Sequence, residues 1–197
     1  MLKLVVLISG GGSNLRALLE AAADAQYPAR VVAVGSDNDA DGLAHAERFD
    51  IPTFTVPPTS FATREAWGEE LLRQIDEWQP DLVVCAGFMR ILPGNVVSAL
   101  SPNIINTHPA LLPLYPGAHA VRDALAAGAT ETGVTVHVID AGVDTGPVIT
   151  QQSLTVHEGE TESALHERIK TIERGLLVQT VLDIANGTVD LEELARP

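Results

Sequence analysis

The stretch that decides the fold is KLVVLISGGGSNLRALLEAAADA, residues 3–25. Its first seven residues, 3–9, are mostly apolar, and such a short continuous run predicts a buried β-strand. Three glycines follow, and leucines then recur with the spacing of an amphipathic helix over residues 14–25. A buried strand, a glycine-rich turn and a helix together form the beginning of a βαβ unit.

The same alternation of strand and helix continues along the chain. Further strands are expected at 29–37, 51–56, 81–88, 103–108, 132–140 and 147–156, and further helices at 42–50, 63–80, 120–129 and 161–187. The sequence contains no linker, repeat or low-complexity segment, so we predict a single domain over residues 1–197. The predicted fold class is α/β, a mostly parallel twisted sheet flanked by helices on both faces. Ligands of such sheets bind outside the carboxyl ends of the strands.

The composition argues against several classes of function. The chain has 12 basic and 26 acidic residues, a net charge of −14, and this surface would repel nucleic-acid backbones. No apolar run approaches the roughly 18 residues that a membrane helix needs. The first apolar run is too short for a signal-peptide core, so we expect a cytoplasmic protein without nucleic-acid or membrane partners. Cys85 is the single cysteine and is expected to be an inert buried thiol.

The glycine-rich turn SGGGSN, residues 9–14, predicts an anion site. Its backbone can approach a ligand closely, and the free N–H groups at the start of the helix favour a phosphate. Either Ser13 or Asn14 could cap that helix. The turn lacks the P-loop pattern, and Leu15 stands at the third glycine position of a dinucleotide fingerprint. We therefore expect the phosphate of a ligand smaller than NAD, with a tight turn that binds nothing as the alternative.

A second loop, DNDADG at residues 37–42, has the spacing of the first half of an EF-hand. Its twelfth position is Arg48 where an EF-hand has glutamate, so calcium binding is not expected. We interpret the loop as a turn after the second strand, with an aspartate capping the next helix. Asp37 could alternatively contact a ribose hydroxyl in a dinucleotide site.

Asn106 and His108 end another predicted strand, within NIINTHPALLP at residues 103–113. Residues two apart on a strand face the same side, so the amide and the imidazole should point together. Both groups can stabilise an oxyanion, and the imidazole can also move a proton near neutral pH, so the pair suits a carbonyl reaction. Asp144, in the loop at 140–147, could favour the charged imidazole. The alternatives are a satisfied polar pair at a strand end and a turn residue at position 144.

The sequence offers no motif for covalent or metal-dependent catalysis. GxSxG and HExxH are absent, and the six histidines are dispersed without a zinc pattern. Direct transfer, without a covalent enzyme intermediate and without a metal, is therefore the expected chemistry.

Five stretches together carry a resemblance to a known family. They are VLISGGGSNLRALLE, FATREAW, AGFMRIL, NTHPALLP with YPGAHA, and GVTVHVIDAGVDTGPVI. From residue 3 to about residue 185 the chain resembles the phosphoribosylglycinamide formyltransferases, folate-dependent enzymes of purine synthesis. The resemblance implies a Rossmann-like formyltransferase fold. It also implies transfer of the formyl group of 10-formyltetrahydrofolate, a co-substrate, to the amine of glycinamide ribonucleotide.

The resemblance further implies roles for particular residues. Asn106, His108 and Asp144 would be the catalytic residues, with Asp144 favouring the charged imidazole. The implied ribonucleotide site consists of Gly12, Ser13, Asn14 and Glu173. Without the resemblance, Glu173 would be interpreted as part of a solvated helix face.

The implied folate site consists of Arg64, Met89, Arg90, Ile91, Leu92 and Asn106. The backbone of residues 140–144 is expected to help to hold the pterin. The alternative for the apolar members, residues 89, 91 and 92, is ordinary core packing. We expect the ribonucleotide site in the N-terminal half of the domain, and the folate site with the catalytic loop in the C-terminal half.

Some positions depart from the family pattern, and other functions stay open. Gly11 stands where many relatives have asparagine, and Leu114 where many have a polar or basic residue. His119 and His137 match family positions without an assigned role. The alternatives are another acceptor or water for the same formyl donor, and a non-catalytic nucleotide-binding module. The expected partners are the two small-molecule substrates, and the chain is expected to be a monomer or homodimer.

Overall fold

The computed structural model describes residues 1–196. The strands are β1 Leu2–Ile8, β2 Ala29–Ser36, β3 Thr53–Thr55, β4 Leu82–Cys85, β5 Ile104–His108, β6 Glu131–Val138 and β7 Val148–Thr155. The helices are α1 Ser13–Ala22, α2 Leu43–Arg48, α3 Arg64–Asp76, α4 Gly94–Leu100, α5 Ala120–Ala126, α6 Glu162–Ala185 and α7 Leu191–Leu194. A short 3-10 turn lies at Pro58–Ser60.

The strands form one sheet in the order β3-β2-β1-β4-β5-β6-β7. The five strands from β3 to β5 are parallel, whereas β6 runs antiparallel to β5, and β7 antiparallel to β6. The chain leaves β1 in one direction towards β2 and later returns to its other side with β4. This reversal between β1 and β4 is the kind of switch point at which α/β sheets bind ligands. The predicted α/β class with a mostly parallel, helix-flanked sheet is confirmed.

The middle of the sheet is buried on both faces, as β1 shows. In β1, Leu4, Val6 and Ile8 pack on the side of α1 and α6, whereas Val5 and Leu7 pack on the side of α3 and α4. All five are fully buried. Burying one such side chain contributes roughly 1.5–3 kcal/mol, so the apolar stretch holds both helix layers and fixes the end of β1 where the glycine turn begins.

The N-terminal caps differ between helices: threonines cap α3 and α6, whereas a glycine caps α1. Thr63 caps α3 by accepting a hydrogen bond from the N–H of Ala66, and Thr161 caps α6 in the same way. The prediction that Ser13 or Asn14 caps α1 is wrong: Gly12 is the cap, in a left-handed conformation with φ of 66°. Side chains cannot replace that glycine without strain.

The expected aspartate cap of α2 is also wrong, because Gly42 occupies the cap position without a side-chain hydrogen bond. A Cβ on Gly42 would come within 2.7 Å of the Gly10 carbonyl oxygen, so the close approach of α2 to the glycine turn requires glycine there. Helices α4 and α7 were not predicted, and both are short. None of the helices within residues 1–196 combines the length and apolar character needed to cross a bilayer.

Candidate active site

A cleft of about 290 Å³ opens at the carboxyl ends of β4 and β5. Its walls come from three places: the segment after β4, the end of β5 with the loop that follows, and the loop after β6. The residues predicted to act together line it, namely Met89, Arg90, Ile91, Leu92, Asn106, His108 and Asp144, and His137 lines it as well. The cleft thus lies at the carboxyl ends of the strands, where ligands of α/β sheets are expected to bind.

Asp144 approaches the end of β5 from the loop after β6. Its Oδ2 lies 3.4 Å from Nδ1 of His108, and its Oδ1 lies 3.7 Å from Nε2 of His137. The N–H of Gly117 donates to the same carboxylate at 2.7 Å. The backbone of Asp144 is left-handed, with φ of 54°, a conformation that aspartate tolerates better than most residues. That turn of the backbone directs the carboxylate into the cleft.

Both ring nitrogens of His108 face acceptors. Nε2 lies 2.8 Å from the carbonyl oxygen of Tyr115, which can only accept, so Nε2 carries a proton and donates it. Nδ1 faces the carboxylate of Asp144. Tyr115 itself has a φ of 53°, which is uncommon for an aromatic residue and turns its carbonyl towards the ring. The ring is therefore held between a carbonyl oxygen and a carboxylate oxygen.

His137 holds the amide of Asn106. The two residues are opposite each other in the antiparallel pairing of β5 with β6. Nδ1 of His137 donates to the carbonyl of Val138 at 2.9 Å, so Nε2 is the acceptor and receives the Asn106 amide N–H at 3.2 Å. Burial lowers the pKa of His137, outweighing the opposing effects of the Val138 hydrogen bond and the charge of Asp144, so the ring is neutral. The second N–H of the Asn106 amide stays available to a ligand.

Two of the predicted ribonucleotide residues, Asn14 and Glu173, lie close together on the other face of β5. Asn14, at the start of α1, is 6% exposed, and its Nδ2 lies 3.5 Å from Oγ1 of Thr107. Glu173, on α6, is 7% exposed. Burial raises the pKa of Glu173, although hydrogen bonds from Asn14 and Thr107 act in the opposite direction. Glu173 therefore does not lie on a solvated helix face, and the glycine turn and α6 converge on the same point of β5.

Thr107 joins this polar cluster, which the sequence did not reveal. It lies between Asn106 and His108 on β5, so it must face the opposite side of the sheet. The period of two that brings its neighbours together also points its hydroxyl towards Asn14 and Glu173. This alternation was the available signal. The partners of the Thr107 hydroxyl could not be predicted, because the sequence does not show that α6 packs against that face.

The expected folate segment, residues 89–92, is mixed in its exposure. Met89 and Ile91 are 71% and 60% exposed, so core packing is excluded for both. Leu92 is buried and belongs to the core cluster beneath the cleft. Arg64 donates from Nη2 to the carbonyl of Ile91 at 2.7 Å, which fastens the segment to the start of α3. Arg90 pairs with Asp37 through Nε at 2.6 Å.

The loop after β6 is fixed by its own turn. Oδ1 of Asp140 accepts hydrogen bonds from the N–H of Gly142 and from Oγ1 of Thr145, at 3.0 and 2.8 Å. A Cβ on Gly146 would lie 1.9 Å from the carbonyl oxygen of Val138, so only glycine allows the loop to fold back on the strand. These contacts fix the loop that carries Asp144.

The structure corrects the alternative interpretation of Asp37. Its side chain is 1% exposed, its Oδ2 is paired with Arg90, and its Oδ1 accepts from the amide of Asn38 at 2.9 Å. A carboxylate engaged in this way is not free to contact a ribose hydroxyl, which removes the main support for a dinucleotide site. Cys85 is buried at the floor of the cleft, and burial raises the pKa of its thiol to about 12, as expected for an inert thiol.

Comparison with known proteins gives one consistent result. The formyl transferase family profile matches residues 2–181. The phosphoribosylglycinamide formyltransferase of Mycobacterium tuberculosis is 50% identical over 187 residues, which cover 95% of this chain and 86% of that protein. The trifunctional purine biosynthetic protein adenosine-3 of Drosophila melanogaster is 37% identical over 189 residues, 94% of this chain and 14% of that protein. The crystal structure of glycinamide ribonucleotide transformylase 1 from Symbiobacterium toebii is similar with a TM-score of 0.92 and 38% identity, covering 95% of this chain and 89% of that one.

Proposed function

The chain belongs to the phosphoribosylglycinamide formyltransferases of the formyl transferase family, and we propose that it performs their reaction by direct attack, with Asn106, His108 and Asp144 as catalytic residues. The reaction places a formyl group on the amine of glycinamide ribonucleotide during purine biosynthesis. The proposed donor is 10-formyltetrahydrofolate, bound as a co-substrate. The main support for the mechanism is the convergence of amide, imidazole and carboxylate at one end of the cleft, with His108 Nδ1 3.4 Å from Asp144.

In the proposed mechanism the acceptor amine attacks the formyl carbon of the donor. The carbonyl oxygen gains negative charge as the new C–N bond forms, and the free N–H of Asn106 and the charged ring of His108 stabilise that oxyanion. The bond from the formyl carbon to N10 of the folate then breaks. The attacking amine loses one proton and N10 gains one. The His108 imidazole can give a proton to N10 and take one from the amine, so the reaction balances.

The neighbours of these groups serve as positioning residues. His137 orients the amide of Asn106, and the Tyr115 carbonyl orients the imidazole of His108. Asp144 stabilises the positive charge of that imidazole through its carboxylate. These contacts exist within the protein itself, so the oxyanion site needs little reorganisation when substrates bind.

We further propose that the two substrate sites do not correspond to the N-terminal and C-terminal halves of the sequence. Glu173 is the one ribonucleotide residue in the C-terminal half, and it reaches the glycine turn because α6 packs on α1. The proposed folate residues Arg64 and 89–92 belong to the N-terminal half. Residues 89–92 line the cleft together with Asp144, and Arg64 contacts the carbonyl of Ile91. The phosphate would lie against the N–H groups of Gly12, Ser13 and Asn14, and the ribose hydroxyls against Glu173.

A single assay tests this function. Purified protein is mixed with 10-formyl-5,8-dideazafolate and glycinamide ribonucleotide, and release of the deformylated folate is followed by absorbance. Turnover that requires both substrates is expected. Absence of turnover with this acceptor would refute the proposal, and equal folate release without acceptor would instead identify a hydrolase. Tight NAD binding without folate binding would favour a nucleotide-binding module.

A further inference from the structure

Asp37 is a buried charged residue that the proposed reaction does not use. It follows the end of β2, and its side chain is 1% exposed. Burial tends to raise the pKa of its carboxyl, but the hydrogen bonds from Arg90 and Ser9 outweigh it and leave the pKa below its usual value. The carboxylate is therefore charged at neutral pH, and a buried charge of this kind needs partners.

Those partners reach the segment at residues 89–92, which we name the folate loop. Nε of Arg90 donates to Oδ2 of Asp37 at 2.6 Å. The Asn38 amide donates to Oδ1 of Asp37 at 2.9 Å and to the carbonyl of Ser9 at 3.0 Å. Oγ of Ser9 in turn accepts from the N–H of Met89 at 2.8 Å. Asp37 is thus connected to the folate loop by its own contact with Arg90 and by a second path through Ser9.

Ser9 also belongs to the turn that would hold the phosphate. It directly precedes the three glycines, and its N–H donates to the carbonyl of Gly87 at 3.1 Å. One small polar cluster, Ser9 with Asp37 and Asn38, therefore contacts the beginning of the glycine turn and the beginning of the folate loop. No other charged side chain among residues 1–196 has a described contact that joins these two segments.

We propose that Asp37 is a positioning residue for the folate loop, acting through Arg90, and that its cluster couples the binding of the two substrates. The second half of this proposal depends on the proposed function, because it names a folate and a ribonucleotide. A ligand that orders the glycine turn fixes Ser9, and Ser9 together with Asp37 then fixes Met89 and Arg90. A folate that binds next finds its loop already ordered, and the effect must be equal in the other direction.

The loop-positioning half is tested without any ligand. Asp37→Asn keeps the shape of the side chain and removes its charge. Hydrogen exchange of the peptide spanning residues 88–92 should become at least about fivefold faster in Asp37→Asn, since a charge-assisted hydrogen bond is weakened. Asp39→Asn is the matched control, because Asp39 is exposed in the same loop and makes no described side-chain contact. Unchanged exchange in Asp37→Asn, or an equal acceleration in the control, overturns the proposal.

The coupling half is tested by binding and kinetics. Trp67 stacks on Phe88 beside the folate loop, with 6.4 Å between ring centroids, and its fluorescence can report binding of 5,8-dideazafolate. In the wild type, saturating glycinamide ribonucleotide should tighten this binding at least about fivefold, the lower end of typical coupling. Asp37→Asn should lose most of that factor, and its KM for the formyl donor should rise while kcat stays within about twofold.

The outcomes separate the two proposals. If 5,8-dideazafolate does not bind the wild type, the proposed function fails, whereas the exchange result still decides the role of Asp37. If it binds but the ribonucleotide does not change its affinity, or Asp37→Asn keeps the full factor, the coupling is refuted. Should Asp37→Asn fail to fold, Arg90→Gln breaks the same pair from its half-exposed side, and the same acceleration of hydrogen exchange without ligand is expected of it.

Discussion

The two faces of β5 hold their polar side chains in different ways. On the face that lines the cleft, each proposed catalytic group has a partner within the protein. The Asn106 amide is bound by His137, and the His108 ring lies between the Tyr115 carbonyl and the Asp144 carboxylate. These contacts orient the groups before any substrate arrives.

On the opposite face one buried amide oxygen lacks a partner, and the buried carboxyl of Glu173 is desolvated. Oδ1 of Asn14 has no hydrogen-bond partner within the described part of the chain, and Glu173 is held at a raised pKa by burial. A buried polar group without a partner lowers stability, and a ligand hydroxyl can supply the missing hydrogen bond on binding. The comparison indicates that changes on the cleft face should lower kcat, whereas changes on the Glu173 face should raise the KM for the ribonucleotide.

The largest expected effect is that of Asn106→Ala. Loss of one oxyanion donor costs roughly 10² to 10³ in kcat, about 2.7–4 kcal/mol. Steady-state kinetics with both substrates measures this, and circular dichroism checks that the variant is folded. Asn103→Ala is the matched control, because Asn103 is exposed and directly precedes the first residue of β5. A rate near that of the control would mean that Asn106 is no oxyanion donor.

A smaller loss of kcat is expected for His137→Ala. The variant keeps Asn106 but removes the acceptor that fixes its amide, so the donor is present and poorly oriented. We expect kcat to fall roughly 10- to 100-fold, less than on deleting the donor itself. In the double variant with Asn106→Ala, the His137 change should add almost nothing, because both act through the same amide. Fully additive losses would contradict the positioning role.

On the other face, Glu173→Gln should act on binding. Replacing the carboxylate weakens hydrogen bonds to the ribose, so the KM for glycinamide ribonucleotide should rise about tenfold, and kcat should stay within about twofold. Glu167→Gln serves as the control, since Glu167 is on the same helix with its side chain 67% exposed. A fall in kcat with unchanged KM would place Glu173 on the reacting side and break the comparison of the two faces.

The same substitution should stabilise the protein at neutral pH. Because the pKa of Glu173 is raised above its usual 4.5, the folded state binds more protons than the unfolded state between those two values. Stability therefore falls as pH rises through that window and stays lower above it. Glu173→Gln should raise Tm at neutral pH, by about 2–4 °C for each 1 kcal/mol gained, and lose this advantage below the usual pKa. An equal gain at low pH would point to a cause other than the charge.

Part of this architecture could be predicted because it is local. The apolar run of β1, the glycine turn and the helical spacing of α1 identified a βαβ beginning, and the period of two placed Asn106 and His108 together. The antiparallel direction of β6 could not be read from the sequence, since TGVTVHVID has no feature that distinguishes the two directions. The contact between Asn106 and His137 depends on that direction and was therefore missed.

The contacts that complete the site depend on loops far apart in sequence. Asp144 reaches His108 only because Gly146 lets its loop turn back on β6, and the distance of 3.4 Å does not follow from the spacing of 36 positions. The pairing of Asp37 with Arg90 spans 53 positions. It escaped prediction because the acidic loop pattern suggested a turn or a ribose contact. Local patterns identify which residues are unusual, and tertiary packing decides what they touch.

The smallest effect is expected at Leu114, which departs from the family pattern next to a residue of the site. Its side chain is 55% exposed, and its N–H donates to the Leu111 carbonyl, a contact that any residue other than proline keeps. The neighbouring Tyr115 acts on His108 through its backbone carbonyl, which a side chain at position 114 does not replace. Leu114→Lys should therefore leave the free energy of unfolding within about 0.5 kcal/mol and kcat/KM within about twofold. Denaturant titration and steady-state kinetics measure both quantities. A selective fall in the KM for either substrate would show that a lysine at position 114 contributes to binding.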